Sequence, residues 1–276
     1  MRVPRTEVAA ALLGGREIAV VGGFVESGAN VGRVDAYSPA SNRWRRLPSL
    51  PVTVDHAMAA SYRGRLYVVG GYGSDRRPRR SAFVFRHGGW KALPPMPEGR
   101  AAAGAAVVGG KLYVVGGIGP SGVVSRAFRL DLRTSRWSFV RGPSPREHLA
   151  VTALGGKIYA LAGRTVTAGN FDTFEVYTPS ASRWRRLPPV PDSRGGTGAA
   201  AVGNLIVSVG GEEPGGTIES VYAYNVKTRR WSRLPDLPTP RHGLGVVAYR
   251  GRVYAIAGGP QPGLYVSGAN EYLQLR

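Results

Sequence analysis

The chain has 276 residues, no cysteine, and 37 basic against 17 acidic side chains, which gives a formal charge of +20. The lack of cysteine excludes disulfide scaffolds, thiolate metal sites and thiol nucleophiles, and no apolar stretch reaches the roughly 18 residues that a membrane-spanning helix needs. A charge of this size favours polyanionic partners, so the placement of the arginines must decide whether it serves binding.

An apolar run that ends in two small residues recurs six times along the chain. In chain order the runs are IAVVGG before Phe24, LYVVGG before Tyr72, LYVVGG before Ile118, IYALAG before Arg164, IVSVGG before Glu212 and VYAIAG before Gly259. Unbroken apolar runs of this length are typical of strands that are covered on both faces. Their spacing predicts six repeats, at approximately 4–51, 52–97, 98–145, 146–191, 192–238 and 239–276, within a single domain of residues 1–276.

A tryptophan follows the apolar run in the first five repeats, at Trp44, Trp90, Trp137, Trp184 and Trp231. An aromatic residue or leucine precedes it, and a segment rich in alanine, glycine and valine precedes the apolar run. Each repeat is therefore predicted to form four short strands, and no segment has the pattern of an amphipathic helix.

The composition of these strands suits sheets that radiate from a central axis. Small side chains fit the crowded axis, the apolar run fits a strand covered by neighbouring sheets, and tryptophan can fill the wider space outside. We therefore predict an all-β fold, a six-bladed β-propeller of four-stranded antiparallel blades.

The glycine pair after an apolar strand, followed by spaced tyrosine and tryptophan, resembles the Kelch repeat family over residues 4–276. The main departures are Ala162 and Ala257 in place of the first glycine. Kelch propellers resemble one another in closing the ring with one blade built from both chain ends, whereas repeat six ends at ANEYLQLR without a tryptophan strand. The last blade is therefore expected to lack its outer strand. We expect a Trp-Leu-Pro strand upstream of Met1, and an export signal before it would place the protein outside the cell; the residues present do not define a compartment.

Three of the four histidines, His56, His148 and His242, fall in the turns that lead into the first strands. A three-histidine metal site on the axis is one interpretation. The interpretation we favour is that these side chains tie the turns together, so no metal site, cofactor or catalytic residue is predicted.

Arginine also recurs in these turns, at Arg5, Arg100, Arg146, Arg194 and Arg241. A ring of guanidinium groups could bind a carboxylate or phosphate at the channel mouth, or it could bond to loop carbonyl groups. The second interpretation is favoured because a position filled in five of six repeats serves a shared structural need first.

The residue directly after each small pair varies from repeat to repeat, as a binding face within a regular array would. In Kelch domains that capture acidic peptides, the resemblance implies that this loop and the turn before the axial strand form the binding face. The predicted contacts are Arg164, Tyr72, Arg146 and Arg194, followed by Arg100, Arg241, Glu212 and Phe24.

The sequence thus predicts a monomeric, non-enzymatic binding or scaffold protein that captures a protein, a peptide or an acidic glycan on one loop face. Nucleic acid is not the predicted partner, because the arginines beside the tryptophans suit outer edges and no recognised nucleic-acid module accompanies them. The alternative is a small-molecule enzyme of the sialic-acid mutarotase kind at the channel mouth, with Glu147, Glu212 and Glu213 as available acids.

Overall fold

The computed structural model describes residues 1–275 and folds them into six antiparallel blades and three short two-stranded hairpins, with no α-helix in that range. Blade 1 contains β1 (Ala9–Leu13), β2 (Glu17–Val21), β3 (Val34–Ser38) and β4 (Arg43–Leu47), and blade 2 contains β5 (Met58–Tyr62), β6 (Arg65–Val69), β7 (Ala82–Arg86) and β8 (Gly89–Ala92). Blade 3 contains β9 (Gly104–Val108), β10 (Lys111–Val115), the hairpin β11 (Ile118–Gly119) and β12 (Gly122–Val123), β13 (Arg126–Asp131) and β14 (Arg136–Arg141).

Blade 4 contains β15 (Ala150–Leu154), β16 (Lys157–Leu161), the hairpin β17 (Arg164–Thr165) and β18 (Gly169–Asn170), β19 (Phe174–Thr178), a short 3-10 helix (Pro179–Ala181) and β20 (Arg183–Arg186). Blade 5 contains β21 (Gly198–Val202), β22 (Leu205–Val209), the hairpin β23 (Glu212–Glu213) and β24 (Gly216–Thr217), β25 (Val221–Asn225) and β26 (Arg230–Leu234). Blade 6 contains β27 (Gly245–Tyr249), β28 (Arg252–Ile256) and β29 (Asn270–Gln274). The predicted all-β propeller of six blades, with a last blade of three strands, is confirmed.

The innermost strands surround the axis in the circular order β1, β5, β9, β15, β21 and β27. Small side chains such as Ala10, Ala59 and Ala105 line the channel between them. Because their side chains are short, six strands can meet at one axis and still leave an open passage.

The core is divided among the six seams between neighbouring blades. The second strand of each blade is covered from both sides, and in β2 the residues from Ile18 to Val21 have no exposed surface. At the seam between the first and last blades, Val8, Ile18, Tyr37, Tyr254 and Ile256 form one apolar cluster. The fold is therefore stabilised by repeated contacts between adjacent blades, each of which covers the apolar face of the next.

A hydrogen bond from tryptophan links four of the blades to the blade before. The indole Nε1 groups of Trp90, Trp137, Trp184 and Trp231 donate to the carbonyl oxygens of Pro48, Pro94, Arg141 and Pro188 over 2.8–3.0 Å. Trp44 lies at the seam between the first and last blades and packs on Tyr37, with the ring centroids 5.0 Å apart. The repeated tryptophan thus both fills space and fixes the register between blades.

The outer edge of blade 6 differs from the other outer edges. No strand among residues 1–275 pairs with the free side of β29. Beside it, a cavity of about 240 Å³ between blades 5 and 6 is lined by apolar side chains that include Leu237, Val253 and Leu273. Tyr272 on the same strand is 55% exposed. This is the place where the blade geometry predicts a fourth strand.

The two small residues that end each second strand have different backbone conformations. The first has φ between 57° and 69° in all six blades, and the second has φ between 85° and 126°. An L-residue tolerates the first range, which is why alanine stands there at Ala162. At Gly163, with φ of 98°, an added Cβ would lie 2.8 Å from the Glu147 carbonyl oxygen and 2.9 Å from Leu149 Cβ.

Substitution of Gly163 by alanine is therefore expected to lower the free energy of unfolding by about 1–3 kcal/mol, since the strained φ and the close contacts add. The matched control is Ala162→Gly, for which we expect a change within about 1 kcal/mol. Urea unfolding followed by tryptophan fluorescence measures both, and equal costs for the two variants would contradict the explanation.

Among the residues that the structure describes, no helix has the length and apolar character required to cross a membrane.

Candidate functional site

One end of the propeller carries the turns that enter the innermost strands and the loops between second and third strands, and we call it the loop face. At each blade the turn and the loop are joined by a β-bridge. The bridged pairs are Thr6 with Phe24, Asp55 with Tyr72, Ala101 with Ile118, Glu147 with Arg164, Gly195 with Glu212, and His242 with Gly259. The two segments named by the sequence argument therefore do meet, blade by blade.

A closed ring of backbone hydrogen bonds surrounds the axis on the loop face. Its members, which we call the axial ring, are Glu7, His56, Ala102, His148, Gly196 and Gly243, and all have φ between 50° and 63°. Each amide from His56 to Gly243 donates to the carbonyl oxygen of the preceding member over 2.8–3.1 Å, and the Val8 amide closes the ring on the Gly243 carbonyl oxygen at 3.2 Å. This left-handed conformation turns the side chains of the ring members toward the axis.

Three members of the axial ring carry functional side chains that converge. His56 Nε2 lies 2.9 Å from His148 Nε2 and 3.1 Å from the Glu7 carboxylate. All three side chains are about nine-tenths buried. The other three members are alanine or glycine, and a Cβ at Gly243 would lie 2.6 Å from the Glu7 carboxylate. The small residues therefore leave the room into which the three functional side chains extend.

Two buried carboxylates orient the two histidines. Asp55 Oδ1 lies 2.5 Å from His56 Nδ1, and Glu147 is bonded to His148 Nδ1. Burial alone would lower the pKa of His56, but Glu7 and Asp55 outweigh burial and raise it. Burial would likewise raise the pKa of Glu7, and the surrounding histidines instead hold it well below its usual range.

His242 lies one residue earlier in its turn than His56 and His148 do. Its Nδ1 is 3.2 Å from the far side of the Glu7 carboxylate, and its Nε2 is bonded to the Gln261 carbonyl oxygen at 3.0 Å. Glu7, rather than His242, is therefore the third group that faces the paired histidines, and the alternative of a three-histidine site is corrected.

The repeated turn arginines are buried and bonded to carbonyl groups. Arg100, Arg146, Arg194 and Arg241 are at most 1% exposed, and each bonds the carbonyl oxygen of the first residue in the small pair of its own blade. Arg5 does the same at Gly22. Burial lowers the pKa of Arg100 to about 10, with Glu98 opposing the shift. Their predicted contact with a ligand stays a prediction, and their position supports the interpretation that they hold the turns in place.

The loop residues of the prediction surround the axial ring. Arg164 contacts both Glu147 and Glu212, and its side chain is 31% exposed. Tyr72 packs edge to face on His56, with ring centroids 5.6 Å apart, and Phe24 does so at 6.1 Å. Burial, with a smaller contribution from Glu147, raises the pKa of Tyr72 to about 12. Phe24 and Glu212 are only 7% exposed, so they support the channel mouth from below and offer little surface to a ligand.

Arg76 also lies beside the axial ring, and it was not among the contacts predicted from the sequence. Its guanidinium bonds Asp55 at 2.9 Å and lies 4.5 Å from the centroid of the Tyr72 ring, while 54% of the side chain is exposed. It belongs to the loop after Tyr72, where four of the five residues from Arg76 to Arg80 are arginines. The sequence does not indicate which of these arginines points toward the axis.

Exposed apolar side chains also lie on the loop face. Val166 is 92% exposed at the tip of a hairpin in blade 4, and Leu264 and Tyr265 are 54% and 55% exposed in the loop of blade 6. These three stand among the five large apolar side chains that the described part of the chain exposes, the others being Phe139 and Tyr272. Val166 stands alone, whereas Leu264 and Tyr265 are adjacent in one loop, and grouped apolar side chains are the kind that mark surfaces for other molecules.

The opposite end of the propeller carries much of the positive charge. Its basic residues are Arg16, Arg43, Arg63, Arg65, Arg86, Lys111, Arg133, Arg136, Lys157, Arg183, Lys227, Arg229, Arg230, Arg250 and Arg252, and its acidic residues are Glu17 and Asp131. Much of the net positive charge of the protein therefore lies at the end opposite the loop face.

The fold and its repeated turns define a Kelch-type six-bladed propeller. A model of the Kelch motif matches residues 5–51, 99–144, 145–191 and 193–238, which is more than half of the chain, and the chain therefore belongs to the Kelch-repeat family. It is 30% identical over 231 residues to Kelch-like protein terF of Aspergillus terreus, covering 76% of this chain and 50% of that protein. It is 44% identical over 168 residues to Kelch-like protein 35 of Homo sapiens, covering 60% and 28% respectively. The chain thus spans half or less of the length of these relatives.

Proposed function

We propose that this chain is a non-enzymatic binding module that captures a protein segment with acidic residues on its loop face. The observation that carries the proposal is the presence on that one face of exposed apolar side chains, Val166, Leu264 and Tyr265, together with Arg76, which is 54% exposed, and Arg164, which is 31% exposed. Aromatic residues and arginine are the residue types that protein interfaces favour.

The repeat separates a rigid frame from a variable surface. The buried arginines hold every turn in the same position, so the loops after the small pairs can differ without loss of the fold. In this proposal Arg164 and Arg76, which are already paired with Glu147, Glu212 and Asp55, bind acidic side chains of the partner through their exposed parts. Tyr72 and Tyr265 supply aromatic contacts, and the buried turn arginines act from beneath the surface.

The mutarotase alternative requires an acid beside an arginine at the channel mouth, with the acid free to exchange a proton with a substrate. Glu147 and Glu212, two of the acids it would use, are buried and bonded to Arg164. We therefore do not propose an enzymatic function.

Selection from a displayed peptide library on the immobilised chain tests the proposal. We expect enriched peptides to combine aspartate or glutamate with an aromatic or aliphatic residue. For such a peptide, Arg164→Ala and Tyr265→Ala should each weaken binding roughly 10- to 100-fold, in the range of an interface hot spot. Arg136→Ala, which removes an exposed arginine from the opposite end, should leave the affinity unchanged.

Peptides whose affinity is the same for the loop-face variants and the wild type would contradict the proposed face. Enrichment of basic peptides would contradict the proposed charge. Binding to acidic glycans that is lost in Arg164→Ala, without any peptide binding, would assign the face to a carbohydrate instead.

A further inference from the structure

The axial ring contains three donor atoms that the proposed binding of a peptide does not require. We propose that Nε2 of His56, Nε2 of His148 and the carboxylate of Glu7 bind a divalent first-row transition-metal ion. The inference does not rest on the proposed function, because it requires only the ion and these three side chains.

The three donors meet at one point although they come from three blades. One ligand atom from each residue lies within 4.8 Å of the others, and the separations measured from His56 Nε2 are 2.9 Å and 3.1 Å. With metal–ligand bonds of about 2.1 Å, such separations correspond to angles of about 90° at the ion. His56 Nε2 can thus occupy a position next to each of the other two donors around one ion.

The hydrogen bonds of the histidines direct their lone pairs toward this point. Asp55 and Glu147 each accept a hydrogen bond from Nδ1 of one histidine, which leaves Nε2 of each neutral ring without a proton. Two nitrogen lone pairs that face each other at 2.9 Å repel unless a positive charge lies between them. A shared proton can supply that charge, and a metal ion supplies it to both histidines and to Glu7 at once.

The surrounding groups match those that support metal-bound histidines in other proteins, where a carboxylate accepts the second ring N–H. These carboxylates are themselves held, Asp55 by Arg76 at 2.9 Å and Glu147 by Arg164 at 3.2 Å. The orientation of each ring is therefore fixed before any ion binds.

The local charge also favours a cation. Around the mouth, the four carboxylates of Glu7, Asp55, Glu147 and Glu212 face the two guanidinium groups of Arg76 and Arg164. The two guanidinium groups balance two of these carboxylates, and His242 also lies beside Glu7 and Glu212. The remaining carboxylates attract a cation, which can be a proton on a histidine or a divalent metal ion.

The chemistry of the donors selects the class of ion. Two imidazole nitrogens and one carboxylate oxygen bind Zn²⁺, Fe²⁺ or Co²⁺ far better than Mg²⁺ or Ca²⁺, which prefer sites made of oxygen. Three protein ligands leave further coordination positions free, and the donors line a cavity of about 150 Å³ at the end of the channel. The site is thus of the open kind, in which the ion can also bind a small ligand.

The test uses the full chain, freed of metal by a chelator and titrated separately with Zn²⁺ and Co²⁺ in a calorimeter. We expect one ion per chain for each metal and no binding of Mg²⁺ or Ca²⁺ at the same concentrations. Bound Co²⁺ should show the weak visible absorption of a six-coordinate ion.

Variants distinguish the axial ring from adventitious sites. His148→Asn and Glu7→Gln should each weaken Zn²⁺ binding at least 100-fold, and Asp55→Asn should weaken it about 10- to 100-fold by releasing the His56 ring. Asparagine is chosen at position 148 because it tolerates the positive φ of 52° found there. His87→Asn removes an exposed histidine outside the cluster at a similar φ of 50° and should not change the affinity.

Circular dichroism and the melting temperature establish that each variant is folded. Stoichiometric binding that is lost in His148→Asn and Glu7→Gln but kept in His87→Asn supports the site. Absence of binding in the wild-type chain, or equal affinity in the wild type and a folded His148→Asn variant, would overturn it.

Discussion

Replacement of Arg146 by alanine is expected to lower the free energy of unfolding by about 3–5 kcal/mol. The Arg146 guanidinium is 1% exposed and contacts Glu175 at 2.6 Å, so its loss leaves a buried carboxylate without its ion-pair partner, bonded only to Ser144. It also leaves three backbone acceptors without their donor, the carbonyl oxygens of Ser144, Ala160 and Ala162. Urea unfolding of the two proteins measures the difference.

Arg45→Ala is the matched control for this prediction. Arg45 contacts Glu17 at the same distance of 2.6 Å, but its side chain is 55% exposed, and pairs of that kind contribute at most about 1 kcal/mol. Glu175→Gln should fall between the two, because it weakens the charge interaction while the three carbonyl bonds remain. Equal effects of Arg146→Ala and Arg45→Ala would show that the buried arginine is not a structural tie.

The structural role of Arg146 affects the choice of variants for binding experiments. If Arg146 holds the turn, a binding defect in Arg146→Ala reports a disturbed loop face rather than a lost contact. Arg164 and Tyr265 are the sharper probes, because both reach the surface of that face.

The second large effect is expected from completing blade 6. We predict that addition of RRWSRLPD, the sequence of residues 229–236, directly before Met1 raises the melting temperature by about 5–10 °C. In blade 5 these residues precede Leu237, which lies four residues before Arg241, as Met1 lies four residues before Arg5. Burial of the added tryptophan side chain would stabilise the fold by about 2–3 kcal/mol. Each kcal/mol raises the melting temperature by roughly 2–4 °C in a domain of this size.

The physical basis is the free edge of β29 and the apolar cavity beside it. The new strand can pair with β29, cover Leu273, and bring its indole N–H to the Pro235 carbonyl oxygen, as Trp231 does at Pro188. An extension of equal length with serine in place of its tryptophan and leucine is the control. Differential scanning calorimetry should give a clearly smaller shift for that control, and equal shifts would refute pairing at the open edge.

The fold could be predicted because its causes repeat along the chain. Six copies of the apolar run, in register with tryptophan and small residues, favour the same sheet six times, so local variation does not obscure the pattern. The three-stranded last blade was predictable for the same reason, since repeat six contains no tryptophan.

The candidate metal site could not be predicted in the same way. His56 and His148 are separated by 92 residues, and they meet because the axial ring closes through hydrogen bonds between blades. Glu7 gave no signal, since an acidic residue near the start of a chain matches no motif. The sequence also placed His242 with the other two histidines, and a shift of one residue within its turn directs its ring to the other side of Glu7.

The indole hydrogen bonds all run from one blade to the blade before it in the sequence. Each tryptophan donates to a carbonyl group only 42 or 43 residues earlier in the chain. During synthesis, blades can therefore dock one at a time as they emerge, through contacts that are close in sequence and quick to form. The seam between the first and last blades is the exception, because Tyr37 and Tyr254 must find each other across most of the polypeptide. We expect the closing of that seam to be the slow, final event of assembly.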